Sequence, residues 1–165
     1  PAPYKALGQS AVEAGRERRI SFNADWRFSK GDFPGAEKAD FDDSSWRRLD
    51  LPHDWAIEGP FDRNYTTSSG ALPFHGVAWY RKTFKLPESV RGRYFTIEFD
   101  GAMSNARVWL NGQYLGERPY GYISFAFDLT PHLKFGGEPN VLAVRLAPED
   151  QSSRWYPGAG IYRNV

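Results

Sequence analysis

The middle of the chain alternates hydrophobic and polar residues with a period of two, which is the pattern of β-strands with one buried face. The alternation is clearest in residues 95–99, 107–110 and 123–129. Asn111-Gly112 interrupts the second of these runs, and both residue types tolerate the positive φ that a two-residue hairpin turn requires. The pattern therefore predicts an antiparallel hairpin at Asn111-Gly112 with further strands on both sides.

The rest of the chain adds short strands and little helix. Strands are predicted at Arg19–Phe22, Trp26–Phe28, Trp79–Leu86 and Val141–Leu146. Pro131 is predicted to begin a single helical turn that is capped by Thr130. The 16 glycines and 12 prolines suit turns between short strands better than helices. The pattern favours an all-β, antiparallel sandwich or barrel.

Residues 1–17 mix Pro, Gly, Ala and charge without a sustained period, and we expect a flexible leader there. Residues 18–165 are then a single folded domain, which is the size expected for one hydrophobic core. The chain stops in an apparent strand, so we expect the natural polypeptide to continue.

Composition excludes several classes of function. The chain has 21 basic and 20 acidic residues, a net charge of +1 and no basic stripe, so we expect no nucleic-acid partner. No apolar run approaches the roughly 18 residues that predict a membrane span, so we expect no membrane partner. The absence of cysteine excludes disulfides and thiolate metal sites.

Leu51-Pro52-His53-Asp54-Trp55 is the first candidate functional segment. Pro52 restricts its neighbour to extended geometry, so the preceding strand should end here and place His53, Asp54 and Trp55 on a loop. Two interpretations are open. Asp54 can cap a turn while Trp55 fills the core, or His53 and Asp54 can face a sugar.

The long segment from Gly59 to Val77 has almost no hydrophobic period and is a candidate functional loop. It is rich in hydroxyl groups, amides and aromatic rings, including Asn64 and Tyr65. Sugar hydroxyls accept directional hydrogen bonds and sugar C–H faces stack on rings, so this composition suits carbohydrate.

No catalytic constellation can be assembled from the residues alone. Glycosidic hydrolysis usually needs two carboxyl groups across the scissile bond, whereas most acids here occupy predicted turns. The Asp42-Asp43 pair offers too few oxygens for a hard cation and is expected to form an Asx turn or one helical turn. Nucleophile-elbow, histidine-ligand and phosphate-loop patterns are missing. We therefore expect a binding or accessory domain with no metal and no cofactor.

Five motifs occur in this order along the chain: Phe41–Trp46, Leu51–Trp55, Gly76–Lys82, Val108–Gly112 and Gly160–Val165. Together they resemble the N-terminal sugar-binding domain of glycoside hydrolase family 2, and the resemblance extends from about Ile20 to the last residue. Within the family, the segments Pro52–Trp55 and Ser153–Gly158 are most similar to β-galactosidases, with β-glucuronidases and β-mannosidases as relatives.

The resemblance implies a jelly-roll, galactose-binding-domain-like β-sandwich, followed in the same polypeptide by immunoglobulin-like and TIM-barrel domains. The two catalytic glutamates of the family lie in the barrel, so no catalytic residue is expected in this chain. Its implied role is to help shape a pocket for a β-galactoside-type carbohydrate. The candidate substrate-binding residues are His53, Asp54, Asn64, Tyr65, Arg154 and Trp155.

In related galactosidases an asparagine and an acidic residue approach the sugar and a sodium ion. Asn64 corresponds to the asparagine by position, but Ser152, Ser153 and Arg154 supply no acid, so a sodium site is not expected. Such relatives are commonly exported, and we expect the periplasm or cell exterior, otherwise the cytoplasm.

Two alternatives stay open. One is a free-standing lectin-like module that binds glycans through Tyr65, Phe74, His75 and Trp155. The other is a structural sandwich that makes contacts between the copies of a homo-oligomer.

Overall fold

Two antiparallel sheets form the body of the chain. The computed structural model describes residues 19–65, 70–150 and 155–165. The larger sheet has six strands and the smaller has two. In chain order the strands are β1 (Trp26–Lys30), β2 (Arg47–Leu49), β3 (Ala78–Lys85), β4 (Thr96–Phe99), β5 (Ala106–Leu110), β6 (Gln113–Arg118), β7 (Phe125–Asp128) and β8 (Pro139–Leu146).

The strand order is β2-β1-β3-β8-β5-β6 in the larger sheet and β4-β7 in the smaller. The main core lies between the two sheets, and it contains Tyr80 and Val108 from the larger sheet and Phe99 and Phe125 from the smaller. The rings of Phe99 and Phe125 stack with centroids 4.9 Å apart. The predicted antiparallel β-sandwich of the jelly-roll type is therefore confirmed.

The hairpin predicted at Asn111-Gly112 is confirmed. Asn111 and Gly112 have φ values of 53° and 80°, as a turn with two left-handed positions requires. The turn connects β5 to β6, and β8 pairs with the other side of β5.

The outer face of the larger sheet is covered by the segment between β1 and β2, so β3 is buried on both faces over its first half. Trp46 from this segment packs beside Trp79. Arg81, only 1% exposed, binds the carboxylate of Asp43 at 2.7 Å and main-chain carbonyls of the segment. The Ser44 amide donates to Asp42, which confirms the predicted Asx turn.

Two local predictions are wrong. Residues 19–22 are not a strand, because no neighbouring strand pairs with them; Phe22 makes a single backbone bond to the Val165 carbonyl at 2.7 Å. The turn at Thr130–His132 forms, but Asp128 accepts the Thr130 amide, while Thr130 Oγ1 accepts the Phe95 amide. The predicted leader, residues 1–17, lies outside the described residues.

None of the helical turns in the described ranges is long and apolar enough to cross a membrane.

Candidate functional site

Two segments that are far apart in sequence lie side by side at one edge of the sandwich. The His53 amide donates to the Ile161 carbonyl at 2.9 Å, and the Trp55 amide donates to the Ala159 carbonyl at the same distance. Gly160, between Ala159 and Ile161 in the sequence, has a φ of 140°. A Cβ added to Gly160 would stand 2.2 Å from the main-chain oxygen of His53. The fold therefore brings the motif Leu51–Trp55 against the motif Gly160–Val165. Only glycine fits at position 160 of this contact.

The Asp54 carboxylate fastens these segments together. Its Oδ1 accepts the amides of Ala56 and Ala159, each at 3.0 Å. Its Oδ2 accepts the Tyr156 hydroxyl at 2.5 Å. Burial, together with this bond to a carboxylate, raises the pKa of Tyr156. Asp54 therefore caps the turn after Trp55, as one of the two interpretations predicted, and a contact with a sugar stays a prediction.

His53 belongs to a second network on the inner side of the same loop. Its Nδ1 lies 2.7 Å from the Tyr80 hydroxyl and its Nε2 lies 3.1 Å from Glu58, which also pairs with Arg47 at 2.8 Å. All groups are satisfied when the Tyr80 hydroxyl donates to Nδ1 and Nε2–H donates to Glu58. Burial lowers the pKa of His53 although Glu58 opposes this effect, so the ring is neutral at pH 7.

His53 is therefore held inside the domain. Its exposed fraction is 9%, and Trp55 beside it is 3% exposed and belongs to the main core. The predicted filling of the core by Trp55 is confirmed. The predicted contact of His53 with a sugar stays a prediction.

The long segment after Trp55 is a loop without strands in its described parts, as predicted. Asn64 is exposed at an Asx turn, where its amide donates to Asp62 at 2.8 Å. The Tyr65 ring lies 5.6 Å from the ring of His75. Phe74 is only 2% exposed, so it fills the core and presents no face to a glycan.

We call residues 56–65, 70–76 and 155–159 the rim. Its two loops are joined at the Asp54 carboxylate, whose Oδ1 accepts the Ala56 amide of one loop and the Ala159 amide of the other, each at 3.0 Å. Several large apolar side chains of the rim face solvent, with exposed fractions of 66% for Ile57, 75% for Phe61 and 70% for Trp155. Exposed rings beside amides and hydroxyls are the groups that hold sugars. Arg154, the remaining candidate, lies outside the described residues.

A cleft of about 560 Å³ is lined by residues outside the rim. Its walls include Pro52, Tyr122, Tyr162 and Arg163, and the Tyr162 hydroxyl donates to the Gly121 carbonyl at 2.8 Å. None of the candidate sugar-binding residues within the described ranges lines this cleft. We therefore place the candidate site at the rim, which carries Asn64, Tyr65 and Trp155.

Sequence reasoning missed several residues of the site. Tyr156 lies beside Trp155 in the segment Ser153–Gly158, and this adjacency of a phenol and an indole was the available signal. The sequence did not indicate that Glu58 binds His53 or that Phe61 is exposed, because both depend on how the loop is folded.

No group of three potential metal-ligating side chains occurs within the described ranges. Residues 152–154 lie outside those ranges, so the expected lack of a sodium site stays a prediction.

The sandwich and its rim agree with a sugar-binding accessory domain, and comparison with known proteins identifies the family. The family model for "Glycosyl hydrolases family 2, sugar binding domain" matches residues 20–165. The chain belongs to this family, as the N-terminal sugar-binding domain of glycoside hydrolase family 2 proteins.

Curated relatives include two kinds of enzyme. The chain is 56% identical over 163 residues to the β-galactosidase BoGH2A of Bacteroides ovatus, covering 97% of the chain and 19% of that protein. It is 36% identical over 169 residues to a β-glucuronidase of Formosa agariphila, covering 93% of the chain and 17% of that protein. The chain thus spans about a fifth of the length of the curated relatives that it matches.

Solved structures agree. A β-glycosidase from Bacteroides vulgatus superimposes with a TM-score of 0.80 at 44% identity, covering 88% of this chain and 19% of that one. A Bacteroides uniformis β-glucuronidase superimposes with a TM-score of 0.76 at 31% identity, covering 88% and 17%. The relatives are multidomain proteins in which this sandwich is one part.

Proposed function

We propose that this chain is the non-catalytic carbohydrate-binding domain of a retaining exo-β-glycosidase, and that the rim forms one wall of the substrate pocket. The other walls and both catalytic glutamates belong to a TIM barrel in the same polypeptide, which also carries an immunoglobulin-like domain. The observation that carries this proposal is the exposure of Trp155 and Phe61 on two loops that the core holds in place.

The proposed substrate is a β-galactoside. Support comes from the 56% identity to the Bacteroides ovatus β-galactosidase, which exceeds the 36% identity to the Formosa β-glucuronidase. A β-glucuronide is the second candidate.

Trp155→Ala in the full-length parent enzyme tests the role of the rim. Loss of the exposed indole removes a stacking surface, so KM for an aryl β-galactoside should rise about fivefold to tenfold. The value of kcat should change little, because the catalytic groups lie elsewhere. The measurement is steady-state kinetics.

Tyr114→Ala is the matched control, because Tyr114 is a 52% exposed aromatic residue on β6, outside the rim. Its KM should equal that of the wild type. An unchanged KM in Trp155→Ala would remove the rim from the pocket.

A further inference from the structure

We infer that Asp54 is a positioning residue: its carboxylate fixes residues 155–159 and so places Trp155 at the sugar, without itself touching the sugar. This inference rests on the proposed function of the rim.

The oxygens of Asp54 are occupied from inside the domain. Oδ1 accepts two main-chain amides, from Ala56 and Ala159, while Oδ2 accepts the Tyr156 hydroxyl. A sugar hydroxyl that competed with Tyr156 for Oδ2 would weaken the bond that holds the turn at residues 156–159.

The contacts form a chain that leads to Trp155. Ala159 is fixed by its carbonyl, which accepts the Trp55 amide, and by its own amide, which donates to Asp54. The peptide then turns at Gly158, which has a φ of 80°, and Tyr156 is tied back to the same carboxylate. Trp155 directly precedes Tyr156, so one carboxylate fixes both ends of the turn that follows the exposed indole.

Burial contributes little to the placement of Trp155, because 70% of the residue is exposed. A hydrogen bond from a hydroxyl to a carboxylate is stronger than one between neutral groups and strongly directional. The bond between Tyr156 and Asp54 is therefore well suited to set the position of the indole beside it.

Tyr156→Phe in the full-length parent enzyme is the main test, because it removes only the hydroxyl that Asp54 holds. We expect KM for an aryl β-galactoside to rise about fivefold, with kcat within about twofold of the wild type. The matched control is Tyr162→Phe, which removes a hydroxyl that donates to the Gly121 carbonyl beside the cleft. The control should leave KM unchanged.

The double variant Trp155→Ala/Tyr156→Phe tests whether Tyr156 acts through Trp155. Residues that act through one another are not additive. We therefore expect the double variant to have the KM of Trp155→Ala alone. A further rise in KM by the full factor of the single Tyr156→Phe change would overturn the inference.

Asp54→Asn and Asp54→Ala separate positioning from direct sugar binding. The asparagine oxygen can still accept the amides of Ala56 and Ala159, and its NH₂ group can donate to the Tyr156 oxygen. We expect Asp54→Asn to stay within about threefold of the wild-type KM and Asp54→Ala to raise KM about tenfold or more. A loss of affinity that is equal in both Asp54 variants, with Tyr156→Phe unaffected, would overturn the inference and assign Asp54 to the sugar.

Hydrogen exchange gives a readout that does not depend on catalysis. Tyr156→Phe should speed exchange in peptides that span residues 155–161 and leave residues 119–124, near the cleft, unchanged. Unchanged exchange at 155–161 would overturn the inference.

The kinetic results separate the two proposals. Unchanged KM in Trp155→Ala would overturn the proposed function and the positioning role together. A raised KM in Trp155→Ala with an unchanged KM in Tyr156→Phe would overturn the positioning role alone.

Discussion

Gly160 is the residue on which the contact between the two motif segments depends most. Its backbone lies against the His53 carbonyl and the Tyr80 hydroxyl, and an added Cβ would stand 2.2 Å and 2.7 Å from these oxygens. Its φ of 140° is also a conformation that residues with a side chain rarely adopt. Steric overlap and backbone strain therefore both disfavour any residue with a side chain at position 160.

Gly160→Ala should lower the free energy of unfolding by about 3 to 5 kcal/mol, the sum of overpacking and backbone strain. Urea denaturation of the chain measures this change. Gly92→Ala is the control for strain alone, because Gly92 has a φ of 85° and open space around the added Cβ. Its cost should be about 1 to 2 kcal/mol. Equal costs for the two variants would contradict the close packing at Gly160.

The roles of single residues are harder to predict from the sequence than the fold is. Proline and the Asx pattern place His53 and Asp54 on a loop, because these preferences act between neighbours in the chain. The partners that decide what each side chain does, Tyr156 for Asp54 and Tyr80 for His53, come from distant segments. A local pattern contains no information about such partners.

At the scale of elements, the β5–β6 hairpin is tied to β8 by the side-chain amides of Asn111 and Asn140. Asn140 is fully buried; its Oδ1 accepts from Asn111 at 2.9 Å and from the Lys134 amide at 2.8 Å, and its Nδ2 donates to the Lys134 carbonyl. Asn111 in turn accepts the Val141 amide at 2.9 Å. The hairpin turn, the segment before β8 and β8 itself are therefore held by one network.

Asn140→Leu should lower the free energy of unfolding by about 2 to 4 kcal/mol, because a side chain of similar size removes the partner of the Lys134 amide, the Lys134 carbonyl and the Asn111 side chain. Thermal and urea unfolding measure the loss. Gln113→Leu in the same hairpin is the control, since Gln113 is exposed, and should change stability by less than about 0.5 kcal/mol. Similar losses of unfolding free energy in Asn140→Leu and Gln113→Leu would show that the hydrogen bonds of Asn140 do not stabilise the fold.

Elements were predicted well where a local pattern is strong and less well elsewhere. Asn-Gly between alternating runs specified the hairpin, because the turn chemistry and the strand period agree. The failure at Arg19–Phe22 has the opposite cause: alternation alone does not make a strand when no neighbour is placed to pair with it. The capping prediction at Thr130 failed because its Oγ1 instead accepts the Phe95 amide from a distant segment.

On the scale of the whole molecule, the sandwich is a scaffold for the rim, which we propose as the sugar-facing surface. The two-layer core follows from the period-two pattern, and the rim is stabilised by contacts that bring residues 53–55 against residues 159–161. The chain spans about a fifth of its relatives' length, which is why we assign the catalytic acids and the remaining pocket walls to other parts of the polypeptide.

Calorimetric titration of the isolated chain with a β-galactoside tests this division of the pocket most directly. A single wall offers a sugar few simultaneous contacts, so no saturable binding tighter than the millimolar range is expected. Saturable binding in the micromolar range would contradict the division, because the chain would then hold a complete sugar site of its own, as a lectin-like module does.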